Sequence, residues 1–301
     1  MNKSKEKILL IGSNGMLGQR TAEFFLNKGN TELICASYGQ RSVLENINYF
    51  NLDLTNQTEV TTLLEKISPD VIVNTAAYTA VDKAETEKEL CDKVNVDAVS
   101  YLANFAKKKD IHLINISTDY VFDGADGPYT ENADVNPIGY YGLSKLKGEE
   151  EIEKSGCRYT IIRTNVLYGP AKHGRMDFVK WVVSSLRDKK KIKIVTDQIN
   201  NPTYIDDLVT IIDAAVEKRS IGIFNSGGTE FLSRYDFTIR IADFFNLDKN
   251  LIKPVLTVEF NPPAKRPLKS GLILDKTKSI LGYKPGTIED TFRLMKEELS
   301  L

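Results

Sequence analysis

Reactive and metal-binding side chains are scarce in this 301-residue chain, which has three cysteines, two histidines and one tryptophan. Cys35, Cys91 and Cys157 are odd in number and share no metal-like spacing, so they predict neither a disulfide framework nor a zinc site. They read as small buried hydrophobes in a reducing, cytoplasmic setting. No apolar run approaches the roughly 20 residues that a membrane-spanning helix needs. The formal net charge is −1, which removes the electrostatic case for nucleic acid or an anionic membrane as partner. Lysine runs at 107–109 and 189–191 precede strand-like segments and read as solvated helix ends. The basic start, Met1 to Lys7, leads into an apolar stretch too short for a signal-peptide core, so the expectation is a first strand. There is no repeat and no low-complexity tract.

What is present is alternation. Short apolar runs at 7–11, 32–36, 47–52, 70–74, 111–116 and 159–163 read as strands, the first as one covered on both faces. Helices are expected at 16–28, with Gly29 as stop, from a cap at Asn56 paired with Glu59, at 91–107 and at 140–154. This βα order predicts an α/β fold: a doubly wound, Rossmann-like parallel sheet with right-handed crossovers. The rhythm breaks after Arg163. A loop at 169–177, a helix near 178–186, short strands at 192–195 and 221–225, a helix opened by Ser233 and a proline-punctuated stretch follow. The expected division is a dinucleotide-binding domain over 1–164 and a mainly substrate-binding domain over 165–301, with some segments returning to the main sheet.

Gly12-Ser13-Asn14-Gly15-Met16-Leu17-Gly18 lies directly between the first strand and the first helix. Glycine there permits a tight turn, lets backbone N–H groups reach a phosphate and lets helix pack close on strand. The alternative is a glycine turn that merely ends a strand. Ser37 stands where NAD-specific enzymes place a carboxylate for the ribose 2′-hydroxyl, and Arg41 follows. A guanidinium suits a 2′-phosphate, which favours NADP(H) over NAD(H); a plain surface arginine is the other reading. Asp53, with Leu54, ends the third strand, where either an adenine contact or a simple helix-approach carboxylate fits.

Tyr141 and Lys145 are four apart and share one helix face, whereas the adjacent Tyr140 points away. A nearby ammonium is expected to lower the phenol's pKa and make Tyr141 a proton donor near neutrality. Thr118, after the fifth strand, can hydrogen-bond a carbonyl. Together these predict nicotinamide-dependent reduction; a lone pair of this kind is otherwise a surface feature. His112, inside a strand, reads as packing, and His173 lies in a polar loop near the expected substrate mouth.

The glycine loop, Asn74-Thr75-Ala76-Ala77-Tyr78-Thr79-Ala80-Val81-Asp82-Lys83-Ala84-Glu85, Ser117-Thr118-Asp119-Tyr120-Val121-Phe122-Asp123-Gly124 and Tyr141-Gly142-Leu143-Ser144-Lys145 resemble the dTDP-4-dehydrorhamnose reductases, within the extended short-chain dehydrogenase/reductases. The likeness continues through Arg163-Thr164, Asp197-Gln198, Pro202-Thr203 and Arg266-Pro267. It implies reduction of the 4-keto group of a nucleotide-activated 6-deoxy sugar. It further implies Thr118, Tyr141 and Lys145 as the catalytic set, Ala76, Ala77 and Tyr78 along the cofactor, Asn95 near the site, and Asp119 and Tyr120 facing substrate. Val166 stands where members often carry tryptophan, and Asn201 replaces the usual glycine before Pro-Thr. Arg266 and Lys265 are the cationic candidates for the substrate diphosphate. Some members use a divalent cation, for which no ligands can be picked out here, and a homodimer is compatible with the sequence. A 4,6-dehydratase would need an acid where Tyr120 stands, and a 4-epimerase usually differs after the fifth strand. The non-enzyme alternative is an NADP-binding regulatory module like the beta subunit of methionine adenosyltransferase.

Overall fold

The computed structural model describes residues 5–171, 173–174 and 176–299. The first four residues of the basic start therefore lie outside the described residues, as do Lys172 and Arg175 of the 169–177 loop. In chain order the first half runs β1 (Glu6–Ile11), α1 (Met16–Lys28), β2 (Thr31–Ser37), β3 (Asn48–Asn51), α2 (Gln57–Ile67), β4 (Val71–Asn74), α3 (Lys88–Asp92), α4 (Ala98–Lys109), β5 (His112–Thr118), α5 (Tyr140–Ser155) and β6 (Arg158–Thr164). The second half adds β7 (Leu167–Tyr168), α6 (Phe178–Arg187), β8 (Ile192–Val195), β9 (Ile199–Asn200), β10 (Thr203–Tyr204), α7 (Ile205–Lys218) and β11 (Gly222–Ser226). It ends with β12 (Leu232–Ser233), α8 (Arg234–Phe244), β13 (Ile252–Val255), α9 (Asp275–Leu281) and α10 (Ile288–Leu299).

Seven strands form one parallel sheet in the order β11-β6-β5-β4-β1-β2-β3. The strand order reverses beside β1, which opens a crevice at the carboxyl ends of the strands, the usual ligand position of such sheets. β1 is sealed on both faces. Ile8 and Leu10 join Phe25, Ile212 and Phe224 on one side; Leu9 and Ile11 join Val60, Leu64, Leu102 and Ala103 on the other. A period of two along the strand therefore feeds two helical layers, and the four residues read as one continuous apolar run. β11 comes from far along the chain yet pairs with β6. A third cluster unites α6, α8 and α10 through Val182, Phe237, Ile241, Phe292 and Met295. It carries the wall that faces the crevice from the opposite side.

The local signals explain the borders of several elements. α1 ends where Gly29 adopts φ 65°, and its N–H bonds the Phe25 carbonyl. Asn56 Oδ1 accepts from the N–H groups of Thr58 and Glu59, capping α2. Ser233 Oγ does the same for Asp236 at the head of α8. The helix expected as one piece over 91–107 is instead α3, a wider π turn at Lys93–Asp97, and α4. The cause is tertiary. A Cβ on Gly148 would lie 2.3 Å from the Asn95 carbonyl oxygen, so α5 runs close against the bulged turn.

Candidate active-site cleft

A cleft of about 1440 Å³ runs along the carboxyl ends of the strands. At one end lies the glycine turn. Gly12 holds φ +86°, and a Cβ there would sit 2.6 Å from the Ala76 nitrogen. At Gly18 a Cβ would come within 2.1 Å of the Gly12 carbonyl oxygen, so Gly18 is what lets α1 rest on the turn. Gly18 does this from outside the cleft wall, whereas Gly12, Asn14, Gly15, Met16 and Leu17 are on it. No side chain caps α1, whose N-cap is Gly15. Its first N–H groups are therefore left for a ligand, and a phosphate suits them in charge and hydrogen bonding.

Asn14 is a brace as well as a wall residue. Its Nδ2 donates to the Arg41 carbonyl at 3.1 Å and to Tyr49 Oη at 3.3 Å, and its Oδ1 accepts from Val43 N at 3.1 Å. The loop after β2 is thereby tied to the glycine turn. Ser37, Asp53 and Leu54 line the cleft at this end. Asp53 Oδ1 accepts from both the N–H and the hydroxyl of Thr55, holding the turn that leads to α2. The Arg41 side chain is exposed and stands outside the wall.

Ala76 and Ala77 follow β4 and line the middle of the cleft. Tyr78 does not: its hydroxyl donates to Glu87 Oε2 at 2.7 Å. Asn95 is also off the wall, buried behind it. Its side chain accepts from Tyr78 N at 2.9 Å and donates to the Tyr78 carbonyl at 3.1 Å, and it reaches Ser144 Oγ of α5 at 2.9 Å. Tyr78 and Asn95 thus fix the loop that carries Ala76 and Ala77, the π turn supplying the reach.

Thr118, Tyr141 and Lys145 meet at the inner end, where β5 stops and α5 starts. Lys145 Nζ donates to the Ile116 carbonyl at 2.7 Å. Burial lowers its pKa to about 8, opposed by the negative charge of Glu149. The expected depression at Tyr141 is not what the structure gives. Burial raises the phenol's pKa, with the Thr118 hydroxyl pulling the other way and Asp119 and Tyr120 adding to the rise. The Lys145 ammonium is engaged with the Ile116 carbonyl, and desolvation of the phenol sets the direction. Tyr141 therefore holds its proton at neutral pH. The Tyr140 hydroxyl turns away to Asp92 Oδ2, at 2.8 Å.

Asp119 and Tyr120 also line the cleft. Asp119 is buried; its Oδ2 accepts from Ser270 Oγ at 2.5 Å and its Oδ1 from Thr118 Oγ1 at 3.1 Å. Burial pushes its pKa up to about 7, against the pull of those two hydroxyls. Tyr120 packs edge-on against Tyr141, centroids 5.6 Å apart. Val166 faces the cleft from beyond β6, and His173 lies at its margin, its backbone held by Gln19. His112 is buried against Thr160 Oγ1 at 2.9 Å, and burial lowers its pKa to about 4, as suits a packing histidine.

Arg266 does not reach this cleft. It pairs with Asp82 at 2.9 Å and borders a smaller pocket with Gln198, Phe260 and Pro263. The cation on the opposite wall is Arg234, at the first position of α8, with Phe178 and Trp181 of α6 beside it. Sequence reading missed these three. One signal was available: a cation opens α8, where the helix dipole disfavours positive charge. Among the described residues no group of three or more His, Cys, Asp and Glu side chains is placed to hold a metal. No described helix is long and apolar enough to cross a membrane.

Comparison with known proteins places this geometry. A dTDP-4-dehydrorhamnose reductase of Aggregatibacter actinomycetemcomitans is 32% identical over 93% of this chain and 94% of its own length. The crystal structure of a dTDP-4-dehydrorhamnose reductase from Bacillus anthracis, in complex with NADP, superposes with a TM-score of 0.86 at 31% identity, covering 98% of this chain and 99% of that one. The methionine adenosyltransferase 2 subunit beta of Bos taurus is 29% identical over 85% of this chain and 77% of its own. The family model described as RmlD substrate binding domain matches residues 6–300, and with it the sheet, the glycine turn and the Thr118–Tyr141–Lys145 corner, so the chain belongs to that family.

Proposed function

We propose that this protein is an NADPH-dependent reductase of the 4-keto group of a nucleotide-activated 6-deoxy sugar. The observation that carries the reading is the meeting of Thr118, Tyr141 and Lys145 at the inner end of a cleft whose outer end is the glycine turn. The residues present fit a dinucleotide: the turn leaves no room for a Cβ at Gly12, and the uncapped head of α1 offers N–H groups to a pyrophosphate. Arg41, exposed on the loop that Asn14 ties to the glycine turn, would have to turn inward to answer a 2′-phosphate. We assign residues 1–164 mainly to the cofactor and 165–301 mainly to substrate. The three free, buried cysteines suit a cytoplasmic enzyme.

When bound, NADPH supplies the hydride that the keto carbon receives. Tyr141 keeps its proton at neutral pH because it is buried, and donates it to the oxygen as that atom gains charge. Thr118, whose hydroxyl otherwise donates to Asp119 Oδ1, would turn to donate to the same oxygen, an interaction that strengthens as charge develops. Lys145, cationic below about pH 8, adds positive charge beneath the pair and can hold a ribose hydroxyl.

The test is single-turnover NADPH oxidation with dTDP-, UDP- and GDP-linked 4-keto-6-deoxy sugars. Oxidation with at least one supports the reading. Tight NADP binding with no oxidation of any would favour the regulatory-module reading raised by the likeness to the methionine adenosyltransferase subunit.

A further inference from the structure

The substrate wall of the cleft holds an unpaired cation next to an exposed indole. Arg234 N is fixed by a hydrogen bond to the Gln198 carbonyl at 3.0 Å, and Ser233 caps the helix behind it. Its guanidinium carbon stands 5.1 Å from the centroid of the Phe178 ring. Among the described residues no carboxylate forms an ion pair with it, although Asp119 and Tyr120 are near enough to feel its charge. Leaving a cation half-buried and unpaired is unfavourable unless something of opposite charge is meant to sit there. Arg266, by contrast, is already neutralised by Asp82.

Phe178 is backed by the buried Phe237, near-parallel at 15° with centroids 6.1 Å apart. Trp181, one helical turn on, leans on Phe178 at 5.8 Å and is 39% exposed along the cleft. It is the only tryptophan in the chain. Val166, a small side chain, lines the same cleft.

We infer that α6 and α8 together form the nucleotide end of the substrate site, with Arg234 on the diphosphate and Trp181 as the platform on which the base stacks. The inference rests on the reductase reading. A guanidinium pairs with phosphate oxygens through a planar fork, and an aromatic face accepts any base.

The experiment uses the full chain saturated with NADP⁺ and titrates dTDP, UDP and thymidine, reading selectively excited tryptophan emission and, in parallel, calorimetry. dTDP or UDP should quench the emission. Arg234→Gln should raise their Kd about tenfold or more while leaving that of thymidine alone. Trp181→Leu should abolish the signal and weaken all three ligands. Unchanged NADP⁺ affinity in each variant shows that the fold survives. An unchanged Kd for dTDP and UDP in Arg234→Gln overturns the assignment, and so does binding without change in emission. A guanidinium meant for a sugar carboxylate would give the first of those results. Should 4-keto sugars be reduced while both variants keep the parent KM, the assignment fails and the reductase reading stands. Should the parent bind NADP⁺ but no nucleoside diphosphate, both fail.

Discussion

Removing the charge of Glu149 should destabilise the protein by several kcal/mol, because the glutamate neutralises a cation under the active site. Glu149 and Arg163 are 2% and 3% exposed. Arg163 Nη2 donates to Glu149 Oε2 at 2.6 Å and Arg163 Nε to Oε1 at 3.1 Å; Ser117 Oγ donates to the same Oε1 at 2.5 Å. The guanidinium also reaches the Glu131 carbonyl at 3.3 Å and covers the Phe122 ring. Glu149→Gln keeps the shape and leaves Arg163 buried and uncompensated, which costs about 3–5 kcal/mol. At roughly 2 °C per kcal/mol for a chain of this size, Tm should fall by about 6–10 °C. Replacing both partners, Glu149→Leu with Arg163→Met, should recover most of that loss, since two charges no longer have to be desolvated. Thermal and urea unfolding of the cofactor-free protein measure both variants. A Glu149→Gln melt within 2 °C of the parent, or a double variant less stable than the single, would refute the reasoning.

Three further outcomes follow from the cleft. Tyr141→Phe should cut kcat by about 10²–10⁴ with NADP binding unchanged, while Tyr140→Phe, whose hydroxyl only meets Asp92, should leave kcat near that of the parent; the reverse order in steady-state assays would mean the wrong phenol is assigned. Lys145 is cationic below about pH 8 and neutral above it, and Tyr141 stays protonated throughout, so kcat/KM for reduction should be flat at neutral pH and fall as pH rises through 8; a pH–rate profile flat well into the alkaline range would remove Lys145 from the step. Arg41→Ala should raise the Kd for NADPH about tenfold and leave that for NADH alone; equal losses would assign Arg41 to the loop that Asn14 braces.

Local rules made much of the first half readable. A continuous apolar run could only be a strand covered twice, and Gly29 could only stop a helix. The four-residue spacing of Tyr141 and Lys145 set their shared direction before any tertiary contact was known. The π turn at Lys93–Asp97 was not legible, because it answers to Gly148 on another helix. α7 and α10 went unread although both carry a helical stripe, Ile205, Leu208, Val209 and Ile212 in one and Ile288, Phe292 and Met295 in the other. The pairing of Arg266 with Asp82 joins residues far apart in sequence, and no spacing rule reports it. The rise at Tyr141 had the same origin: burial is a property of the assembled cleft, which the spacing of Tyr141 and Lys145 does not report.

The two walls of the cleft differ in how they can change. The cofactor wall works through backbone, with N–H groups at the head of α1 and φ +86° at Gly12, so a substitution at Gly12 or Gly18 meets main-chain atoms at 2.6 Å or less. Little variation is open there without moving β1 itself. The proposed substrate wall would work through side chains in the first turns of α6 and α8, where Trp181 is 39% exposed and Arg234 is held by its own backbone hydrogen bond. Exchanging those tips leaves the α6–α8–α10 core untouched, since that core is made by Val182, Phe237, Ile241 and Phe292. On the proposed assignments, cofactor binding would be tied to the rigid wall, and choice of sugar and nucleotide to the adjustable one. Substitutions at Val166, Trp181 and Arg234 should accordingly redistribute KM among nucleotide sugars while kcat with the best substrate changes least.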